Sequence, residues 1–397
     1  MSKIRAAISG AIQWPNTRTP TRDQFWMEAA ADLAAEVIAD AGLEKDEVDG
    51  LFLPLVPEQP MMAPSGVAEY LGMRLNMGEI VDLGGATPAA AVWRAAMAIS
   101  AGVCGAGLIL FPSPHPPPKP GTTRGKLALT PFFGGDSWGA PQAQYEFPSG
   151  IVAAIPSFAM VARRYLSEFG VTEEQLAKVA VDERYNAQGN RGAIFYGKPL
   201  TVEQVMNSPM ICDPVKLPET VMPCYGGGAL LIVSEERAAP LKHRPVLLTG
   251  YGEHITHKSI TYCEDLMRTP LQLASQRALK MAGVTHDAFD FASVYDCFTV
   301  TVPLTIENAG FCKPGEGIAW MGERNTHYDG DFPINPFGGQ LGAGQPGYAG
   351  GLSHITDAVL QIQGRAEGHQ VRDANVGYVN GTGGMMAEQV ALVLEGA

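Results

Sequence analysis

Two stretches of this chain concentrate side chains that could do chemistry. Val294-Tyr295-Asp296-Cys297-Phe298-Thr299 sets a phenol, a carboxyl and a thiol in a row, at what reads as the end of a buried strand turning into a helix. Asn335 to Gly351, NPFGGQLGAGQPGYAGG, adds Gln345 and Tyr348 in a run too glycine-rich for a regular element. Glycine lets backbone come close to a ligand, at an entropic cost, so the two stretches are expected to face one active site. A tyrosine has a reference pKa of about 10. It acts more readily as an acid than as a base, which requires a locally stabilised phenolate. Each residue also has a plain structural reading. Tyr295 suits a core tyrosine with a satisfied hydroxyl, Tyr348 an aromatic plugging a loop, and Cys297 a packed thiol. Asp296 is expected to cap the helix that follows it. His254 and His257, in GEHITHK after a strand expected at Val246 to Tyr251, have the i, i+3 spacing of a metal pair on a helix. No third ligand cluster accompanies them, so no metal is expected, and one of the two is expected at the pocket.

The elements that must position these residues alternate strand and helix. Ile4 to Ile12 reads as a strand, Pro15 to Arg22 as loop, and Met27 to Ala41 as a helix stopped by Gly42. Strands follow at Val48 to Leu53 and Ile80 to Leu83, then Gly84-Gly85-Ala86-Thr87-Pro88, a helix from Ala89 to Ala101 and a strand from Gly107 to Phe111. That alternation marks a parallel α/β sheet. Six prolines in the nine residues from Pro112 to Pro120 take the chain off the sheet. The excursion to about Met210 is mostly helical, and Gly227 to Val233 returns to strand. The second half repeats the first. Ala41-Gly42-Leu43 with Asp46, Val48 and Asp49 matches Ala282-Gly283-Val284 with Asp287, Phe289 and Asp290 at a constant offset. The Ala89 helix finds its counterpart in Leu352 to Gln363. The expected organisation is a half from 1 to 240, with 112–210 as an inserted loop subdomain, and a second half from 241 to 397.

With 397 residues, 46% hydrophobic and 17% charged, the chain has the balance of a folded globular protein rather than a disordered one. A net charge of −13 disfavours nucleic acid or an anionic membrane surface as the main partner. Six scattered cysteines without a CxxC pair read as reduced thiols, and with no signal-peptide core at the N-terminus the expected location is cytoplasmic. No apolar run is long enough to span a bilayer.

Val171 to Pro214 resembles the loop-domain signature of sterol carrier protein-type thiolases. YDCF at Tyr295 to Phe298 is similar to their HDCF motif, GGQLGAGQPGYAGG to their GGxxxxGHPxGATG loop, and NGTGGMMAE (Asn380 to Glu388) lies where they have a last glycine-rich loop. The resemblance covers essentially the whole chain. It implies an α/β thiolase fold, with two duplicated βαβαβαββ-type halves stacked as an α/β/α/β/α sandwich beside a helical loop subdomain.

The departures bear on chemistry. A thiolase needs a cysteine at the N-terminus of the helix after the third strand, where the helix dipole lowers its pKa. This chain has Gly84-Gly85-Ala86-Thr87 there. Gln345 replaces the GHP histidine, Tyr295 replaces the HDCF histidine, and the Asn380 loop lacks the second cysteine. An acyl-enzyme route is hard to write on these residues. The losses match the cysteine-less aldolases of steroid side-chain degradation, often called lipid-transfer proteins, which use tyrosines. The resemblance thus implies retro-aldol cleavage of a β-hydroxyacyl-CoA with a steroid or aromatic side chain, giving a ketone or aldehyde and acetyl- or propionyl-CoA. Tyr295 and Tyr348 are the implied acid and base, in an order the sequence does not assign. Gln345, Asn380 and His257 are candidates for binding substrate or the enolate oxygen. No cofactor is implied beyond the coenzyme A of the substrate. The implied partners are a second copy, joined through the sheet edge, and an OB-fold/zinc-ribbon protein. Two other readings stay open: a thiolase-type acyltransferase with another nucleophile, and a non-catalytic acyl-CoA-binding or lipid-transfer subunit. The loop Pro57 to Ala63 and the excursion Pro112 to Pro148 are expected to shape an apolar pocket.

Overall fold

Alternating apolar strands and small-residue helices build a layered α/β structure. The computed structural model describes residues 5–19, 23–114, 142–151 and 153–397, so residues 115–141 of the expected pocket wall lie outside the described residues. The chain begins with β1 (Ala6–Thr17), α1 (Trp26–Ala41), β2 (Gly50–Leu53), α2 (Ala63–Leu71), β3 (Met77–Ile80), α3 (Thr87–Ser100) and β4 (Ala106–Ser113). The excursion carries α4 (Ala154–Phe169), α5 (Glu173–Asn186), α6 (Val202–Met206) and the small pair β5 (Met210–Cys212) and β6 (Val215–Lys216). The chain then forms β7 (Tyr225–Ser234), α7 (Glu235–Ala238), β8 (Val246–Ile255), α8 (Leu271–Ala282), β9 (Phe291–Ser293), α9 (Thr301–Ala309) and α10 (Gly317–Gly322). It ends with α11 (Gly339–Ala343), α12 (Ala349–Ile362), β10 (Val376–Gly383) and β11 (Glu388–Gly396).

The repeat is visible element by element. α1 stops at Gly42 (φ 74°) and α8 at Gly283 (φ 73°), both in the left-handed conformation that glycine reaches without a Cβ penalty. A 3-10 turn follows each, Lys45–Glu47 and His286–Ala288, and then β2 and β9. Nine strands join in the order β3-β2-β4-β7-β1-β8-β11-β10-β9. The order is mirrored about a narrow junction, Ala7 opposite Leu247 and Ile8 opposite Val246.

The strand period of two sorts side chains onto two buried faces. On β4, Leu108 and Leu110 pack with α1, while Ile109 and Phe111 pack with α3 and α12. On β11, Leu392 and Leu394 join that same central layer, and Ala391 and Val393 face α8. The layers are therefore helix, sheet, paired central helices, sheet, helix. Alanines and glycines on α3 and α12 let the two central helices pack together between the sheets.

Three local expectations are corrected. β1 continues through Pro15 to Thr17, because a register shift between Trp14 and Thr17 accommodates the missing N–H. The third strand is Met77–Ile80, not Ile80 to Leu83, since the chain turns away at Gly84 (φ 52°). The glycine run is partly regular, supplying α11 and the start of α12. No helix among the described residues is long and apolar enough to cross a membrane.

Candidate active site

The site forms where β3 turns into α3. Thr87 Oγ1 accepts from Leu83 N at 2.8 Å, and Thr87 N donates to the Gly84 carbonyl at 3.1 Å. These bonds hold Gly84 and Gly85 in a tight turn. Gly85 presses against the YDCF segment: a Cβ added there would overlap the Tyr295 hydroxyl and the Thr382 carbonyl oxygen. The hydroxyl occupies the space into which a side chain at position 85 would project.

Tyr295 is buried, with 5% of its surface exposed. Its backbone N donates to Asn380 Oδ1 at 3.3 Å, and its carbonyl accepts from Thr301 Oγ1 at 3.1 Å. Gln345 Nε2 donates to the hydroxyl oxygen at 3.2 Å. Burial pushes the phenol far above its ordinary value, with Cys297 adding to the effect, while hydrogen bonds from Gln345 and Gln340 oppose it. The group is thus a protonated phenol. With its oxygen accepting from the Gln345 carboxamide, its own proton is left to point elsewhere.

Asp296 does not cap the helix that follows it. α9 starts five residues later, and Thr301 Oγ1 ties that start to the Phe298 carbonyl at 2.7 Å. The Asp296 carboxylate instead accepts from Gln340 N at 2.8 Å and Leu341 N at 2.9 Å, capping α11 in the glycine run. This bond pair joins the two stretches. Around it lie residues that sequence reasoning missed. Glu183 of α5 accepts from Asn335 Nδ2 at 2.8 Å. His354 of α12 is fully buried beside Asp296, Gln340 and Ser293. The available signal was a lone histidine among Leu352, Ile355 and Ala358 on an apolar helix.

Glu183 yields a pH prediction. Burial holds its carboxyl well above the usual carboxylate range, with Asp296 adding repulsion and Asn335 opposing. An acid with a raised folded pKa contributes stability below its unfolded pKa, about 4.3, and loses it as pH rises towards the folded value. Glu183→Gln is therefore expected to raise Tm at pH 7, with the gap to wild type closing below about pH 4. Thermal melts across pH check this, and a lower Tm for the variant at pH 7 contradicts it.

Tyr348 is the N-cap residue of α12, and its hydroxyl donates to Asp82 Oδ1 at 3.0 Å. Burial and then the Asp82 carboxylate hold its proton on. Asp82 belongs to the turn that carries Gly85, so both tyrosines contact one turn. Gln345 is fixed by its backbone, with N donating to the Met222 carbonyl at 2.9 Å and O accepting from Cys224 N at 3.2 Å.

The other candidates fall elsewhere. Asn380 is buried, and its amide donates to Gln389 Oε1 at 3.0 Å and the Val390 carbonyl at 3.2 Å. Those bonds suit it to positioning Tyr295 rather than to meeting an enolate. His257 Nδ1 is 2.9 Å from Thr256 Oγ1, and burial lowers its pKa. No hydrogen bond among the described residues joins it to either tyrosine. His254 lies on strand β8 opposite Gln389, so the i, i+3 spacing does not set two histidines on one helix face. Cys297 is buried and its thiol is pushed up by burial and then by Asp296. Burial also raises Cys104 to about 11, Cys224 to about 12 and Cys312 to about 12.

Fold and site together define a thiolase-like enzyme. A family described as thiolase C-terminal domain-like matches residues 252–396. A steroid side-chain-cleaving aldolase of Thermomonospora curvata is 31% identical over 392 residues, 95% of each chain. The 17-hydroxy-3-oxo-4-pregnene-20-carboxyl-CoA lyase of Mycobacterium tuberculosis is 29% identical, covering 91% of this chain and 92% of the relative. The solved Ltp2-ChsH2(DUF35) aldolase superposes with a TM-score of 0.86 at 28% identity, over 100% of this chain and 99% of that one. This chain belongs to the thiolase superfamily, in its sterol carrier protein-type branch of steroid side-chain-cleaving aldolases.

Proposed function

We propose that this chain cleaves the Cα–Cβ bond of a β-hydroxyacyl-CoA bearing a steroid or aromatic side chain, releasing a ketone or aldehyde and acetyl- or propionyl-CoA. The packing of the Tyr295 hydroxyl against Gly85 carries the reading. A proton-transfer group stands where an acyl carrier would have to project. In the reaction a base takes the β-hydroxyl proton and the C–O bond becomes C=O. The Cα–Cβ bond breaks, its electron pair enters the thioester enolate, and an acid then protonates Cα. Coenzyme A enters as part of the substrate.

The hydrogen bonds support an order for the two tyrosines. Tyr348 already directs its proton at Asp82, so its oxygen can accept the substrate proton while its own passes to the carboxylate. Tyr295 accepts from the Gln345 carboxamide, which would hold its phenolate once it has protonated Cα. Asp82→Asn and Tyr348→Phe are each expected to lower kcat by about 10²-fold or more. Steady-state kinetics check this, and wild-type kcat in both variants removes the assignment.

The test of the reaction is incubation with β-hydroxyacyl-CoAs and product analysis by mass spectrometry. Equal amounts of carbonyl product and shorter acyl-CoA, without consumption of free coenzyme A, are expected. Dependence on free coenzyme A, or an acyl group trapped on a cysteine, would favour the acyltransferase reading. The raised thiol pKa values argue against that reading. Absence of turnover with bound acyl-CoA would favour the non-catalytic subunit.

The assembly belongs to the same proposal. The Ltp2-ChsH2(DUF35) neighbour supports a heterocomplex, and we assign the partner an OB-fold/zinc-ribbon architecture. The open edge of β3 is offered to a second copy of this chain. We place the complex in the cytoplasm and divide the chain at residues 240 and 241. Co-purification with the products of adjacent genes tests the assembly.

A further inference from the structure

Gln345 meets the Tyr295 hydroxyl only while the backbone that carries it is turned the right way, and that backbone is unusual. Gly344, the residue before it, has φ 100° and ψ 161°, a conformation that only glycine reaches without severe strain. The chain leaves α11 there and enters the short bridge in which Gln345 N donates to the Met222 carbonyl and its own carbonyl accepts from Cys224 N. The bridge sets where Gln345 lies. The two peptide planes before it set which way its side chain projects, and a glycine alone leaves them free to rotate.

A side chain from the end of β1 holds those planes. Asn16 Nδ2 donates to the Ala343 carbonyl at 2.9 Å and to the Gly344 carbonyl at 3.3 Å. A carboxamide nitrogen carries two protons, one for each acceptor. Asn16 reaches them because β1 bulges. Trp14 pairs with Gly227 and Thr17 with Tyr225, so Pro15 and Asn16 together stand opposite Gly226 alone, and a bulge of this kind re-aims a side chain. Asn16 N donates to the Gly192 carbonyl at 2.9 Å, which ties the bulge to the loop after α5. Gly226 leaves the room: a Cβ there would lie 2.5 Å from Asn16 Oδ1 and 3.2 Å from the Pro346 side chain. Asn16 Oδ1 is buried and has no hydrogen-bond partner among the described residues. A buried acceptor left unpaired costs free energy, so the orientation needs a reason. Turned over, the carboxamide would set its oxygen against two carbonyl oxygens, and the carbonyls therefore decide which way it faces.

We propose that Asn16 is a positioning residue for the reaction: it holds the Ala343 and Gly344 carbonyls so that Gln345 Nε2 stays on the Tyr295 hydroxyl. No hydrogen bond among the described residues joins Asn16 to either tyrosine, and it acts through Gln345. The inference rests on the reading of Tyr295 as the acid whose phenolate Gln345 holds.

The test uses the complete enzyme with its partner and compares Asn16→Ala, Asn16→Asp, Gln345→Leu and the double variant Asn16→Ala/Gln345→Leu. Gln345→Leu is expected to lower kcat about 10- to 100-fold, the worth of one hydrogen bond to a charged oxygen, with KM within about twofold. Asn16→Ala should lower kcat by about 10-fold or more, up to the Gln345→Leu loss, again with KM within about twofold. Asn16→Asp keeps the shape and removes only the donors, so it should lose at least as much. A merely structural asparagine would lower Tm and leave the kcat of the folded enzyme unchanged. If Asn16 acts through Gln345, its loss adds little once Gln345 is leucine. A crystal structure of Asn16→Ala should show Gln345 Nε2 out of hydrogen-bond reach of the Tyr295 hydroxyl. Wild-type kcat in a folded Asn16→Ala or Asn16→Asp, an unmoved Gln345 in that crystal structure, or full additivity in the double variant overturns the inference. If Asn16→Ala does not fold, the isosteric Asn16→Asp decides by the same measurements. Wild-type kcat in Gln345→Leu would instead remove the underlying reading of the tyrosine, so the two failures are distinguishable.

Discussion

Tyr295→Phe is expected to lower kcat by about 10²–10⁴-fold with KM changed by less than about threefold. The substitution removes one oxygen and leaves the ring. That ring packs in a core with Phe298, Val300 and Leu341, and its tilt against His354 does not depend on the hydroxyl. The fold should survive, with a cost of about 1 kcal/mol because Gln345 Nε2 loses its acceptor. Uniform loss of substrate binding would raise KM, whereas loss of a proton donor lowers kcat. Product formation followed by mass spectrometry, together with a thermal melt, separates these outcomes. A variant that cleaves at the wild-type rate would show the phenol to be a packing group.

The second large effect is expected at Gly85. Gly85→Ala should abolish cleavage and also destabilise the fold, by about 1–3 kcal/mol or more. The added methyl meets Tyr295 on one side and the Thr382 backbone on the other, so no single side-chain movement relieves it. Gly85→Cys, which places a thiol in the turn where the thiolase resemblance implies one, should yield no acyl-enzyme for the same reason. Gly322→Ala is the control, since a Cβ there meets nothing within 4 Å. A folded, active Gly85→Ala, or an acylated Gly85→Cys, would mean that the Tyr295 side chain moves aside readily. In that case the closed acyl position could not be the reason for the change in chemistry.

Much of the architecture was legible because its signals are short-range. The helix, glycine stop, turn and strand of residues 41–49 and 282–290 fall within single turns of chain, and the structure reproduces both units. The pairing of YDCF with the glycine run was also readable, from residue type and from resemblance. What joins them was not. Asp296 caps a helix that starts beyond α9 and α10, and the cap depends on a fold that brings the two segments together. Tyr348 meets Asp82 across 266 residues, a partnership that no local pattern announces. Asn380 looked like a donor for an enolate because it sits in a glycine loop. Strand pairing of β10 with β11 commits its amide to Gln389 and Val390 instead.

The paired central helices have a consequence for charge. α3 and α12 begin beside one another, with Gly351 packed against the Gly85 carbonyl. Each helix brings about half a unit of positive potential to its first turn. Two such ends converge on the turn flanked by the tyrosines, inside a largely apolar layer that screens poorly. Negative charge developing on a thioester oxygen there would be met by these backbone dipoles. The duplication of the half-fold therefore does more than double the core: it aims two oriented dipoles at one point, a field set by the backbone rather than by any side chain in the turn.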